Sequence, residues 1–367
     1  MIGETRSPII DTRSGDEPPP VTDPAYLSLP PARRDQVLRL AEYFTSGRTV
    51  ALSTHVNADG DGCGSESALA QLLAQRGMVA RIVNPTPWPR LFAFVRGNEV
   101  EDATSRGAAA LREVDLLIVV DINDVKRLGS LSDTVRGMAC PKLVIDHHAA
   151  SDDPVSELVY ADTRACATGE LVFDLARVLD LTITPSIARA LYTAILTDTG
   201  GFRFSNTSPR AHAVAADLLA AGVDQEEVYR QVYASSPVGR VRLLAEVLQS
   251  LGVDESLGIS WLSMRAGALE EYGVRQEDLD GITEHARSIG GTRLAMFFRD
   301  LGYGKVKVSF RSTGTVDANV FAKTYGGGGH ARASGALIAG TMSTVRDRVL
   351  ADARALLLSL GKESAAP

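Results

Sequence analysis

The triplet Asp146-His147-His148 directly follows the apolar run Leu143-Val144-Ile145. A carboxylate and two imidazoles at the end of a buried strand are costly to desolvate unless a cation or a substrate compensates them. Alone, the triplet is equally compatible with a solvated turn. Three other segments repeat the pattern. His55-Val-Asn-Ala-Asp59-Gly-Asp61 follows the apolar run at 50–54, Asp121 ends Leu-Leu-Ile-Val-Val-Asp, and Asp198 closes an apolar helical pattern before Gly200-Gly201. Each has a bland reading as a cap or turn, but all of those readings would have to hold at once.

Asp59 and Asp61 are two apart in a glycine-rich loop, so their carboxylates can converge on neighbouring cations. Gly60, Gly62 and Gly64 are expected to allow a tight backbone path and the close approach of a ligand. The helix opening near residues 62–65 is expected to aim free N–H groups at a phosphate. Several carboxylates with imidazoles and no thiolates suit Mn²⁺ or a similar octahedral ion, whereas an all-oxygen set would favour Mg²⁺. The ligands suffice for two ions, and a pair about 3.5–4 Å apart can clamp both the attacking and leaving oxygens of a phosphoester.

A second signal is Tyr325-Gly326-Gly327-Gly328-Gly329-His330-Ala-Arg332. Four bare glycines are expected to form an anion-binding nest of backbone N–H groups, with His330 and Arg332 as directional donors. Arg311, at a strand end nearby in sequence, is a candidate second phosphate clamp. His212 and His285 sit in helical patterns without ligand-like neighbours and read as structural or surface residues.

The elements that must hold these residues follow from periodicity. Residues 1 to 27, with Pro18-Pro19-Pro20, read as a disordered tail. Apolar runs at 50–54, 80–84, 116–121 and 143–148 alternate with amphipathic segments near 64–76, 104–112 and 167–180, after a helix at 32–46. That alternation predicts an α/β fold with a doubly wound, mostly parallel sheet, whose chemistry collects at the carboxyl ends of the strands. Helical patterns follow at 185–198, 209–221, 224–234 and 237–250. From Gly258 a smaller α/β domain is expected, with strands at 259–264, 293–299 and 305–311 and helices at 276–289, 316–325 and 342–359. The boundary is expected between 235 and 255, giving a catalytic domain at 28–235, a helical linker at 236–254 and a substrate domain at 255–367.

Bulk properties narrow the partners. At 367 residues two domains are the natural expectation. No apolar run approaches the roughly 18 residues that span a bilayer, and the N-terminus lacks a secretory pattern, so no membrane association and a cytoplasmic location are expected. Cys63, Cys140 and Cys166 are too few and scattered for a disulfide framework or thiolate zinc site. The net charge of −7 disfavours a grip on long duplex nucleic acid. Yet residues 293–332 carry seven basic side chains against Asp300 and Asp317, a local excess of +5 that fits a short phosphate-bearing ligand. A homodimer is compatible with the chain.

The ordered motifs from about residue 35 to 345 resemble the DHH/DHHA1 phosphoesterase family, within it the oligoribonucleases that also remove the 3′-phosphate of phosphoadenosine phosphate. They are His55-Val-Asn-Ala-Asp-Gly-Asp61, Val-Val-Asp121, Asp146-His-His148, Thr197-Asp-Thr-Gly-Gly-Phe-Arg-Phe-Ser-Asn206 and Gly-Gly-Gly-Gly-His330. Ala58 stands where the family usually has Pro, and Ala-Arg-Ala-Ser-Gly follows His330 where Lys and Ala-Ala-Gly are commoner. The resemblance implies two Mn²⁺ ions, with Mg²⁺ or Co²⁺ as substitutes. His55, Asp59 and Asp121 would hold one, and Asp61, Asp121, His147 and Asp198 the other. His148 would face the scissile phosphate, with Asp146 orienting a neighbouring ligand. Arg311, Ser312, Gly327, Gly328, Gly329, His330 and Arg332 would recognise the nucleotide from the second domain, across a cleft. Within the family a cyclic-di-AMP or linear dinucleotide phosphodiesterase is the nearest rival. A RecJ-like single-strand exonuclease and a pyrophosphatase are further off. A non-catalytic nucleotide-binding regulator would ordinarily have lost metal ligands, and none is missing here.

Overall fold

The computed structural model describes residues 24–279 and 281–363; of the tail expected to be disordered at 1–27, residues 1–23 lie outside it and 24–27 form a helical turn instead. The chain divides into two compact units, Met1–Ala234 and Ser235–Pro367.

Among its described residues the first unit holds six strands: β1 Thr49–Ser53, β2 Val79–Ile82, β3 Glu101–Asp102, β4 Leu116–Val120, β5 Lys142–Asp146 and β6 Leu158–Ala161. They pair in the order β3-β2-β1-β4-β5-β6, and every pairing is parallel. Its helices are α1 Pro24–Leu27, α2 Pro31–Ala41, α3 Gly60–Gln75, α4 Ser132–Gly137, α5 Thr168–Val178, α6 Pro185–Asp198, α7 Pro209–Ala220 and α8 Gln225–Tyr233. Side chains alternate along each central strand between two cores. Val50, Leu52, Ile118, Val120 and Ile145 pack beneath α2, α3, α5, α6 and α7, while Ala51, Leu117, Val119 and Val144 face the opposite layer. With both faces covered, the strands read as unbroken apolar runs. The expected helix at 104–112 is 3₁₀ and kinked at Gly107, whose φ is 51°.

In this order the chain reverses its winding between β1 and β4, and a crevice opens there at the carboxyl ends. His55 leaves the end of β1 and Asp121 the end of β4. One strand further, β5 delivers Asp146-His147-His148.

The second unit has α9 Val238–Gln249, β7 Gly252–Asp254, β8 Ile259–Met264, α10 Ala268–Tyr272, α11 Ile282–Arg287, β9 Leu294–Asp300, β10 Lys305–Ser312, α12 Ala318–Lys323, β11 Gly328–His330, β12 Ala333–Ala339 and α13 Met342–Glu363. The mixed sheet runs β11-β12-β10-β9-β8-β7, with only β8 and β9 parallel. One face carries a core of Phe298, Val308, Phe310 and Val349, and the other a core of Leu262, Ala295 and Phe297. Leu243 and Val247 of α9 belong to that second core, so the helix expected as a linker is an integral part of this unit.

Candidate metal centre

Asp121 lies between two groups of potential ligands. Its Oδ2 is 3.4 Å from His55 Nε2, and its Oδ1 is 3.7 Å from His147 Nε2. Asp59 Oδ2 completes the first group, 3.7 Å from His55 Nε2. Asp61 Oδ2 and Asp198 Oδ2 complete the second, each 3.7 Å from His147 Nε2. These gaps are too long for hydrogen bonds. Two ligand atoms about 2.1 Å from one shared ion sit roughly 3 to 4 Å apart, which these separations match. His55 Nε2 and His147 Nε2 are buried and lack any hydrogen-bond partner, as if each lone pair were reserved for a cation. The ligand atoms of His55, Asp59 and Asp121 all lie within 4.8 Å of one another, as do those of Asp61, His147 and Asp198, and Asp121, His147 and His148 form a third such group. The donor set fits divalent ions.

Local structure aims each ligand. Asp121 has a left-handed backbone, φ 65°, unusual for a residue with a side chain; such conformations concentrate at functional sites. His55 Nδ1 lies 3.0 Å from the Val56 carbonyl and His147 Nδ1 3.2 Å from the Ala165 carbonyl, so Nε2 of each turns inward. Asp146 is fully buried, and its Oδ1 accepts from the His148 backbone N–H at 3.1 Å and pairs with Nδ1 at 2.7 Å. His148 itself is partly exposed, with Nε2 left unclaimed by that pairing. Asp61 is gripped by Ser65 Oγ at 3.1 Å and by the N–H groups of Thr168 at 2.7 Å and Gly169 at 2.9 Å. Asn206 Nδ2 donates to Asp198 Oδ2 at 3.1 Å. A cavity of about 360 Å³ beside His148 is lined by Asn123, Lys126 and Arg127. A larger one of about 650 Å³, bordered by Arg177, Asp180 and Asp217, touches none of these ligands.

The electrostatics follow from crowding. Burial, then repulsion from Asp121 and Asp198, holds the Asp61 carboxyl well above its usual range. Burial, with Asp121 and Asp59 nearby, pushes Asp198 up to about 6 despite the neighbouring His147. Burial would lower His55, yet the Asp121 and Asp59 carboxylates hold it at about 10. His148 is raised by its bond to Asp146. A site so crowded with negative charge invites a compensating cation.

Three expectations need correction. The glycines of the first loop make room for protein rather than for a ligand. A Cβ on Gly60 would meet Thr197 Oγ1 at 2.3 Å, and one on Gly64 would meet the Ala190 carbonyl at 2.4 Å. The N-terminus of α3 is likewise not free for phosphate, because Asp59 caps it by accepting from the N–H groups of Asp61 and Gly62. In the second unit the tetraglycine is an edge strand rather than an open nest. Gly328–His330 pair with Ala333–Gly335, and the N–H groups of Gly326 and Gly327 donate to the carbonyls of Lys323 and Ala322.

The remaining second-unit candidates divide by exposure. Ser312 is buried, and its hydroxyl donates to the Ala331 carbonyl at 3.1 Å, so it braces this turn instead of presenting a donor. Arg311 points to the opposite face of β10, with Nε 3.4 Å from Glu284. Arg332 donates to the Val316 carbonyl at 3.0 Å. Sequence reasoning missed Thr168, Ser65 and the role of Asn206. Thr168-Gly-Glu170 marks a helix start in the sequence, but not that its hydroxyl serves a carboxylate.

The acids and imidazoles gathered at the switch point of the parallel sheet fit a metal-dependent phosphoesterase, and the similarities of the chain to known proteins make it a hydrolase of phosphodiester and phosphomonoester bonds. Residues 49–195 match the DHH family, N-terminal domain, and residues 258–358 match the DHHA1 domain. A protein of Thermus thermophilus named bifunctional oligoribonuclease and PAP phosphatase NrnA is 33% identical, over 85% of this chain and 91% of its own. The protein of that name in Bacillus subtilis is 30% identical, over 84% and 94%. The crystal structure of an exopolyphosphatase-related protein from Bacteroides fragilis, 26% identical, superposes with a TM-score of 0.79 over 88% of this chain and 98% of that one. The chain belongs to the DHH family, whose phosphoesterases depend on divalent metal, and carries a DHHA1 domain. Among the described residues no helix is long and apolar enough to cross a membrane.

Proposed function

We propose that this protein hydrolyses short oligoribonucleotides to mononucleotides and removes the 3′-phosphate of 3′-phosphoadenosine 5′-phosphate, using two divalent cations. Relatives at 30–33% identity that carry both activities in their names support the substrate classes. The carrying observation for the paired ions is Asp121, whose two oxygens face two separate ligand groups. His55, Asp59 and Asp121 hold one ion; Asp61, Asp121, His147 and Asp198 hold the other. The mixture of carboxylates and imidazoles suits Mn²⁺, with Mg²⁺ or Co²⁺ as substitutes.

When bound, the cations supply positive charge to the phosphoryl oxygens and activate water at neutral pH. The protein supplies the rest. His148, steadied at Nδ1 by Asp146, presents Nε2 to the scissile phosphate and donates a hydrogen bond as charge develops on its oxygens. Asp146 acts through His148 and touches no substrate. The second unit recognises the nucleotide with Arg311, His330 and Arg332, while the paired strand of Gly328 and Gly329 and the buried Ser312 hold that turn in place. Residues 28–234 thus form the catalytic domain and the second unit, α9 included, the recognition domain of a cytoplasmic enzyme. Its substrates are short RNA or small nucleotides, not long duplexes, and a homodimer remains within this reading.

Replacing Asp121 with Ala removes a ligand from both groups at once. Turnover with Mn²⁺ should fall about a thousand-fold or more, since each 1.4 kcal/mol of lost stabilisation is tenfold. A variant retaining wild-type kcat would overturn the assignment. Labelled RNA of two to twenty nucleotides, phosphoadenosine phosphate and cyclic-di-AMP, compared by kcat/KM, test the substrate range. Preference for the longest RNA would overturn the short-substrate reading.

A further inference from the structure

Thr168 is fully buried and touches two of the crowded carboxylates. Its backbone N–H donates to Asp61 Oδ2 at 2.7 Å, and its hydroxyl donates to Asp121 Oδ1 at 3.1 Å. The hydroxyl has no task within its own helix, since α5 is entered through Ala167 without a side-chain cap. The oxygen it contacts is the one facing His147, so the bond fixes the carboxylate rotation that leaves Oδ2 to His55.

The platform beneath Thr168 is itself rigid. Glu170 Oε2 accepts the Cys166 N–H at 2.9 Å, closing the turn before the helix. Glu170 also pairs with Arg33 at 2.6 Å and Arg210 at 3.1 Å. Gly169 lets the turn approach α6, because a Cβ there would meet Ala194 Cβ at 2.5 Å. A donor held this firmly can select one rotation of its acceptor, as hydrogen bonds behind metal ligands commonly do.

We propose that Thr168 is the positioning residue that sets Asp121 as a two-faced ligand and ties it to Asp61; this rests on the paired-cation reading above. Asp121 then presents one oxygen to each group before any ion arrives, and affinity depends on that preparation.

The test compares full-length wild type with Thr168→Val, which keeps the shape and the backbone N–H, and with Thr168→Ser, which keeps the hydroxyl. Mn²⁺ binding by calorimetry and steady-state kinetics are the readouts. Thr168→Val should weaken Mn²⁺ binding by about 10- to 100-fold and lower kcat with little change in the KM for short RNA, while Thr168→Ser recovers most of both. If Thr168→Val does not fold, Thr168→Ala against Thr168→Ser isolates the hydroxyl, since both lack the methyl. Wild-type Mn²⁺ affinity without the hydroxyl, or equal impairment with and without it, overturns the proposal. A wild-type isotherm with one ion per chain would instead sink the paired-cation reading, while the comparison among variants would still decide Thr168.

Discussion

Asp59 carries two demands on one side chain. Oδ1 accepts the N–H groups of Asp61 and Gly62 at 3.1 and 3.2 Å, while Oδ2 faces His55. Serine meets the first demand, because its hydroxyl caps helices nearly as well, but offers no carboxylate. Asp59→Ser should therefore keep metal-free stability and lose Mn²⁺-dependent turnover. Asp59→Ala should lose turnover and about 0.5–2 kcal/mol of stability as well. Urea unfolding without metal and hydrolysis with Mn²⁺ separate the two, and full activity in Asp59→Ser would remove Asp59 from the ligand set. The acids and imidazoles at 55, 121, 147 and 148 stood out as charged groups at the ends of apolar strands, and those at 59, 61 and 198 by recurring at helix ends in the same pattern. Thr168 did not, since a buried threonine at a helix start reads the same whether its hydroxyl serves packing or a carboxylate. The left-handed backbone of Asp121 leaves no mark in the sequence either. The glycines misled for a related reason. Absence of a side chain makes room, but does not say whether ligand or protein fills it.

At the scale of elements, periodicity located the central strands and the longer helices of the first unit within a few residues, but neither α1 nor α4. It missed β6, only four residues long, and β12, whose Ala-Ser-Gly-Ala-Leu-Ile-Ala has one β-branched residue, Ile338, and no aromatic one to mark it as a strand. Without β12 the tetraglycine had no partner and read as a loop. The element that matters most for the site is α5, whose first turn grips Asp61 and whose flank holds a buried ion network. Arg33 pairs there with Asp162 at 2.8 Å, Glu170 at 2.6 Å and Asp174 at 2.7 Å. Removing one partner of such a group strands the others. Arg33→Met should destabilise the first unit by about 3–5 kcal/mol, read by urea unfolding at neutral pH. The sign with pH follows from Asp162. Burial would raise its carboxyl, but Arg164 and Arg33 override this and hold it well below 3.8. Its contribution is present above that value and is lost as pH falls through the lowered one. The gap between wild type and Arg33→Met should therefore narrow on acidification; a gap that widened would show that the network is not the source.

For the whole molecule, the decisive fact is that the two units have separate cores while every candidate metal ligand belongs to the first. Val50, Leu52, Ile118 and Ile145 belong to one core, and Phe298, Val308 and Phe310 to another. An ion that binds only the folded first unit stabilises that unit by mass action, by about 2.7 kcal/mol at a hundred times its Kd. The second unit offers it no ligand set among its described residues. Thermal unfolding followed in each unit separately can use the two tryptophans, since Trp88 lies in the first and Trp261 in the second. With Trp261→Phe the fluorescence reports the first unit, and Mn²⁺ should raise its Tm by several degrees; with Trp88→Phe it reports the second, and the shift should be small. An equal rise in both would mean that the units unfold as one cooperative block. A rise confined to the second would place the cation where no carboxylate cluster awaits it, and the metal centre at the β1–β4 switch point would have to be abandoned.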